Sequence, residues 1–175
     1  PEDAHEEPTF ARSRAHDYVA RECKAVREAV GITEIANFAK HSIRGPDTRK
    51  FLDHVMAGRV PQPGRINLSP MLTPKGKLYG DLTIACFADD DFMIFGSGAA
   101  QEMHRRWFES HMDGYDIRYA NESRRYHGIG LSGPNARELL SRVTRDDVSG
   151  DALKFRDIKR TFVGTVPAIL TRLSF

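Results

Sequence analysis

The chain has 175 residues, enough for one large domain or two small ones, and folding buries roughly 70% of the unfolded surface at this size. Hydrophobic residues make up 40%, which excludes an intrinsically disordered chain. Lys and Arg number 26 against 24 Asp and Glu, with the signs interspersed, so the charge carries no strong footprint of a nucleic-acid or anionic-membrane binder.

The acidic start, "PEDAHEEP", has no Met and no apolar pattern. Val19, Cys23, Val26 and Val30 then recur at helical spacing, predicting an amphipathic helix over 17–29 that Gly31 stops. Thr33 to Arg44 reads as one strand. In "RGPDTRKFLDHV" (44–55), Gly45 makes a turn and Pro46 takes the first position of a helix. Phe51, Leu52, Val55 and Met56 form its buried stripe. A Pro- and Gly-rich loop (58–65) leads to a short strand, "INLSPML", and "TPKGK" turns into a long strand over 77–87. "ADDD" is a hairpin tip and "FMIF" (92–95) the return strand.

A helix is predicted from about Gly98 to Met112, with Ser97 as N-cap and Ala100, Met103 and Trp107 facing inward. "YDIRYA" (115–120) is a further strand, and "ESRRYH" (122–127) reads as a loop. Two strand-like runs, near 153–162 and 165–174, close the chain. It stops inside an apolar run, "VPAILTRLSF", which together with the missing Met reads as a fragment of something longer.

The most informative pattern is internal. "RGPDTRKFLDHV" returns as "SGPNARELLSRV" (132–143), with Gly45 and Gly133, Pro46 and Pro134, Arg49 and Arg137, Leu52 and Leu140, and Val55 and Val143 in register. A strand precedes each copy. The first copy continues as β-α-β-β-α-β, a split βαβ unit. The expected fold is therefore α+β: two tandem ferredoxin-like (split β-α-β) units with antiparallel sheets, the second truncated. The expected boundaries are an N-terminal segment and helix (1–31), a first unit (32–123) and the start of a second (124–175).

Several motifs point to no chemistry of their own. "FGSGAAQ" places Gln101 where a dinucleotide-binding turn has its third glycine. His104 and His111 lie about 10 Å apart along a helix, too far to share one metal, and read as a solvated face. The "DDD" run lacks the ligand spacing of a calcium loop. Cys23 and Cys86 form no CxxC pair, which suits a reducing compartment and argues against a disulfide framework or zinc site. No metal site, membrane span or signal peptide is expected.

One strand raises a chemical question. In "GKLYGDLTIACF" (76–87), alternation puts Leu78, Gly80, Leu82, Ile84 and Cys86 on a core face. Tyr79, Asp81, Thr83, Ala85 and Phe87 fall on the other face, and Asp is depleted in strands. On pattern alone, Asp81 is equally a half-exposed residue pairing with an Arg or a functional carboxylate. With Phe95 and Ser97 facing it, the second face forms a flat, apolar, partly polar wall suited to a planar heterocycle.

Four stretches carry a resemblance: "FAKHSIRGPDTRKFLDHV", "PGRINLSPMLTPKGKLYGDLTI", "FGSGAAQEMHRRWFESH" and "YHGIGLSGPNARELLSRVT". Together they resemble the aminomethyltransferase family, the folate-binding T protein of the glycine cleavage system and its relatives. The branch nearest in "SPMLTPKGKLYGDLT", "GSGAAQ" with "RWFE", and "FAK" is the C-terminal region of dimethylglycine and sarcosine dehydrogenases. The resemblance implies a tetrahydrofolate site in which Asp81 assists attack by a folate amine on a one-carbon imine or formaldehyde unit, giving 5,10-methylenetetrahydrofolate.

By the same resemblance, Phe38, Leu68, Tyr79, Thr83, Met93, Phe95 and Ser97 line the cofactor. Ser97 stands where the T protein has Asn, which leans towards the dehydrogenase branch. A Glu in a "GELGYE"-like motif anchors the pterin in the family, and these residues end before it, so the fragment alone is expected to be inactive. Any FAD belongs to a missing N-terminal region of the parent.

The implied partners are folate and a methylated-amine-derived one-carbon unit, with no nucleic acid and no membrane. The implied location is a bacterial cytoplasm or a mitochondrial matrix. A T-protein-like aminomethyltransferase and a non-catalytic folate-binding or regulatory module are the alternatives. A carboxylate with an ordinary pKa of about 3.9, partly buried among Tyr79, Phe87 and Phe95, becomes a better proton acceptor.

Overall fold

The computed structural model describes residues 8–173. It is a mixed α/β structure whose sheets are all antiparallel. In chain order the elements are α1 (His16–Glu28), β1 (Gly31–Glu34), β2 (Ala39–Arg44), α2 (Thr48–Val55), β3 (Arg65–Leu72), β4 (Leu78–Ala88), β5 (Asp91–Gly96), α3 (Gln101–Ser110) and β6 (Arg118–Asn121). The second repeat supplies β7 (Ile129–Ser132), α4 (Ala136–Val143), β8 (Ile158–Val163) and β9 (Val166–Thr171). No helix among the described residues is long and apolar enough to cross a membrane.

The central sheet has five strands in the order β3-β4-β5-β2-β6. Three strands, not two, therefore lie between α2 and α3, because "INLSPML" joins the sheet as an outer neighbour of β4. One face of the sheet is sealed by α2 and α3. Ile43, Leu82, Ile84, Phe51, Leu52 and Phe108 are each fully buried there, and a fully buried side chain of this kind contributes about 2 kcal/mol.

The expected single strand over 33–44 is two strands in different sheets. It breaks at Ile35–Phe38, and β1 pairs with β7 of the second repeat while β2 pairs with β5 and β6. Alternation could not reveal this, because each half is strand-like by itself. β8 and β9 form a separate hairpin.

The two repeats fold alike locally. Gly45 and Gly133 both take positive φ (137° and 117°), which disfavours a side chain. A Cβ at Gly45 would stand 2.4 Å from the Asp116 carbonyl oxygen, and one at Gly133 2.5 Å from that of Ala29. Each glycine carbonyl accepts a 3.1 Å bond from the first helical N–H, of Thr48 and of Ala136. The repeated arginines also act alike: Arg49 donates to the Pro61 carbonyl and Arg137 to that of Val148, each tying its helix to the following loop. The copies differ in burial. Thr48, Phe51, Leu52 and Val55 of α2 are buried, whereas α4 has no buried residue.

The helix α3 departs from its expected orientation. His104 and Phe108 are its buried residues, and Met103 is exposed. Ser97 is not the N-cap; Ala100 holds that position, without a side-chain bond. His104 is thus no solvated residue. Its ring lies over two glycines: a Cβ at Gly80 would stand 3.1 Å from Nε2, and one at Gly96 2.9 Å from Nδ1 and 2.3 Å from Leu82 Cδ2. A bulkier residue at 96 meets a packed core with no room to give.

His41, on β2, is also fully buried, with Nδ1 2.7 Å from the Tyr119 hydroxyl. Burial, with a smaller push from His104 and an opposing pull from Glu102, lowers its pKa from 6.5 to about 4.

Two outcomes follow. Gly96→Ala is expected to cost about 1–3 kcal/mol of stability in denaturant melts. The folded chain leaves His41 neutral between pH 6.5 and about 4, while the unfolded chain takes up the proton. Its contribution is therefore complete above pH 6.5 and is lost as pH falls towards 4, about 3 kcal/mol in all. His41→Phe should flatten the pH dependence of the melting temperature across that window.

Candidate functional site on the open face of the central sheet

The sheet face opposite α2 and α3 is closed at one end only. There Ile66, Ala85, Met93 and Ile158 form a second buried cluster, with Phe87, Phe95, Tyr126 and Ile169 packed against it. The β8–β9 side is held down by ion pairs. Arg160 and Arg44 both meet Asp91, at 2.8 and 3.0 Å, and Arg65 pairs with Asp157. Arg160 also lies over the Phe87 ring, 3.9 Å from its centroid.

Beyond that cluster the face is open. Register sets one row straight across four strands: Leu68 on β3, Thr83 on β4, Phe95 on β5 and Lys40 on β2. Directly paired residues share a face, so these four side chains stand together. The next position along β4 is Asp81, opposite Pro70. Phe38 precedes β2 and Ser97 follows β5, at the same end of the sheet.

Asp81 and Ser97 are exposed, Thr83 and Phe95 half-buried. Phe38 and Leu68 leave 47% and 68% of their surface to solvent. Two large apolar side chains beside a carboxylate and a hydroxyl make an exposed patch of the kind that marks a ligand surface. Among the described residues no cluster of three or more His, Cys, Asp or Glu side chains could hold a metal ion.

Two expected residues are not brought to this patch. Met93 shares the face but is 1% exposed, inside the second cluster. Tyr79 lies on the helix side, its ring 4.5 Å from that of Trp107. The cause is a bulge: Met71 pairs with Gly80 but Leu72 pairs with Leu78, so Tyr79 is the extra residue. The slip exchanges the faces of the residues before Gly80, and Leu78, expected in the core, is 66% exposed. The expected partial burial of Asp81 is consequently absent.

Lys40 was missed. It is 3% exposed, and burial lowers its pKa. Its Nζ donates to the carbonyls of Phe38 (2.7 Å) and Ala36 (3.0 Å). Period-two reading of "FAKHSIR", started at Phe38, would have placed it on this face. Cys86 belongs to the opposite side. Its thiol, pushed up to about 11 chiefly by burial, donates to the Ala88 carbonyl and is no nucleophile.

The family model described as the GCVT N-terminal domain matches residues 3–175. The chain belongs to this family. It is 34% identical to human mitochondrial dimethylglycine dehydrogenase over 99% of its own length, and it spans only 20% of that protein. It is 26% identical to an aminomethyltransferase of Desulfitobacterium hafniense (strain Y51), over 75% of this chain and 36% of that one.

Among solved structures, the glycine cleavage system aminomethyltransferase T of Bartonella henselae superposes with a TM-score of 0.71 at 19% identity, covering 80% of this chain and 38% of that one. The heterotetrameric sarcosine oxidase of Corynebacterium sp. U-96 superposes at 0.69 with 15% identity, covering 95% and 83%. At these identities the two structures show a shared fold.

Leu68→Ser on that face should change stability by less than about 0.5 kcal/mol, because the side chain is largely solvated already. Leu82→Ala, one position before Thr83 on the sealed face, should cost about 2–5 kcal/mol. Thermal melts of the two variants distinguish the solvated face of the sheet from the packed one.

Proposed function

We propose that this chain is a tetrahydrofolate-binding module that transfers a one-carbon unit, derived from a methylated amine as an imine or formaldehyde, to form 5,10-methylenetetrahydrofolate. The observation that carries the reading is the exposed Asp81 carboxylate, next to Thr83 along β4 on the face that carries the Leu68–Thr83–Phe95 row. Exposed Phe38 and Leu68 give a planar ring an apolar surface, and Ser97 and Thr83 offer hydroxyls at its edge.

Tetrahydrofolate supplies the two nitrogens that take up the one-carbon unit, with release of the donor amine from an imine or of water from formaldehyde. Asp81 is the acceptor for the proton that the attacking nitrogen loses, and its negative charge stabilises positive charge developing on that nitrogen. Phe38, Leu68 and Phe95 exclude water from one side of the ring. Met93 supports the sheet beneath Phe95, and Tyr79 has no part at the ligand.

The higher identity to dimethylglycine dehydrogenase, over nearly the whole chain, favours the amine-oxidising branch over a free-standing aminomethyltransferase. FAD-dependent oxidation is then assigned to polypeptide outside these 175 residues. A mitochondrial matrix or bacterial cytoplasm is the matching location. We also read the two repeats as ferredoxin-like units. The order β6-β2-β5-β4, with β3 added outside it, supports this for the first.

Full-length protein should melt at a higher temperature in tetrahydrofolate, as a ligand bound to the folded state alone requires. Asp81→Ala should cut folate-coupled product formation by about 100-fold or more while amine oxidation continues. Equal loss of both activities, or no folate-induced shift in the wild-type protein, overturns the proposal.

A further inference from the structure

We infer that Lys40 is a positioning residue for the ligand face, acting through Phe38; the inference rests on the folate reading above.

Three observations converge on it. First, the β2–β5 register puts Lys40 opposite Phe95, at the end of the row that runs through Thr83 to Leu68. It is the charged member of that row. Second, the ammonium is withdrawn from water without a carboxylate within salt-bridge distance among the described residues. An unpaired buried charge is unfavourable unless its donors are used. Third, two of its three donors go to the carbonyls of Ala36 and Phe38, in the break between β1 and β2.

That break has two further contacts. Ile35 donates its N–H to the Gly128 carbonyl at 2.9 Å. The Asn37 carbonyl approaches so near Gly98 that a Cβ there would lie 1.9 Å away. The turn carrying Phe38 therefore sits between the β1–β7 ribbon and the start of α3, and Lys40 ties it back to the central sheet. Lys40 is itself seated from the other side, its backbone N–H bonded to Ser123 Oγ (2.9 Å) and its carbonyl to the Glu122 N–H (2.8 Å).

The physical role is preorganisation. Phe38 is 47% exposed, so side-chain packing does little to hold it. Two charge-assisted bonds to its own carbonyl and that of Ala36 set the backbone from which the ring projects. A turn fixed before binding spares the ligand the entropy of ordering it.

The test is a double-mutant cycle on tetrahydrofolate affinity in the full-length protein, using Lys40→Met and Phe38→Ala. Lys40→Met keeps the apolar stem and removes the donors. Its Kd should rise about tenfold with no fall in melting temperature, since a buried ammonium is replaced by an apolar group. Lys40→Arg should restore most of the affinity. Phe38→Ala should weaken binding similarly, and the double variant should be no weaker than Phe38→Ala alone, because both changes remove one interaction.

Additive losses, an unchanged Kd in Lys40→Met, or a Kd change that tracks a lowered melting temperature each overturns the role assigned to Lys40. If the wild-type protein binds and Asp81→Ala loses coupled product, any of these results leaves the folate reading standing. If wild-type protein binds no tetrahydrofolate, both fall together.

Discussion

The approach of α3 to the central sheet governs the rest of the molecule. His104 lies over Gly80 and Gly96, where neither strand has a side chain to hold the helix off. That approach lets Phe108 reach the core shared with Phe51 and Leu82, and it leaves Trp107 to cover Tyr79. The helix is so close that the face beneath it cannot bind anything. The face left open is the far side of the sheet, where Asp81, Thr83 and Phe95 stand. The two glycines flank the two proposed polar residues, Asp81 and Ser97, by adjacency along each strand. Close packing on one face and an accessible carboxylate on the other are consequences of one alternation.

The repeat adds a second constraint. Each GPxxR segment is a turn that needs glycine, a helix that starts on it, and an arginine that secures the next loop. The turns dock on different partners: Gly45 on the segment before β6, and Gly133 on the end of α1 before β1. Correspondingly, β6 pairs with β2 and β1 pairs with β7. The strand that borders the second copy thus comes from ahead of the first. The break at Ile35–Phe38 is where the chain leaves one sheet for the other, which is why Phe38 projects there and why Lys40 has carbonyls to bind.

Local signals in the chain made the element list and much of the candidate face legible. Apolar spacing located α2 and Gly45 its preceding turn, although the helix starts at Thr48 with Asp47 as N-cap and not at Pro46; alternation separated the two faces of β4 from Gly80 to Phe87. Asp81 stood out because a carboxylate is uncommon mid-strand. Errors came where a local rule had two solutions. Strand-like residues on both sides of Ile35 concealed a change of sheet. A histidine in a charged helix looked solvated, because nothing local says that two glycines wait across from it. Alternation failed at Leu78 and Tyr79, where a single extra residue on one strand exchanged the faces.

By itself the sequence determined which segments are helix or strand, the duplicated turn–helix–arginine unit, and the carboxylate worth examining. These depend on spacing of a few residues and on the backbone freedom of particular glycines. The tertiary structure alone decided which strands are neighbours, which side of the sheet α3 seals, that Tyr79 and Met93 are withdrawn from the open face, and that Lys40 is buried beside it. Those outcomes turn on strand register and on contacts between residues far apart in the chain, such as Lys40 with Phe95 and His104 with Gly80. Register is set by the packing of both faces against partners distant in the chain, and no local window of sequence contains those partners.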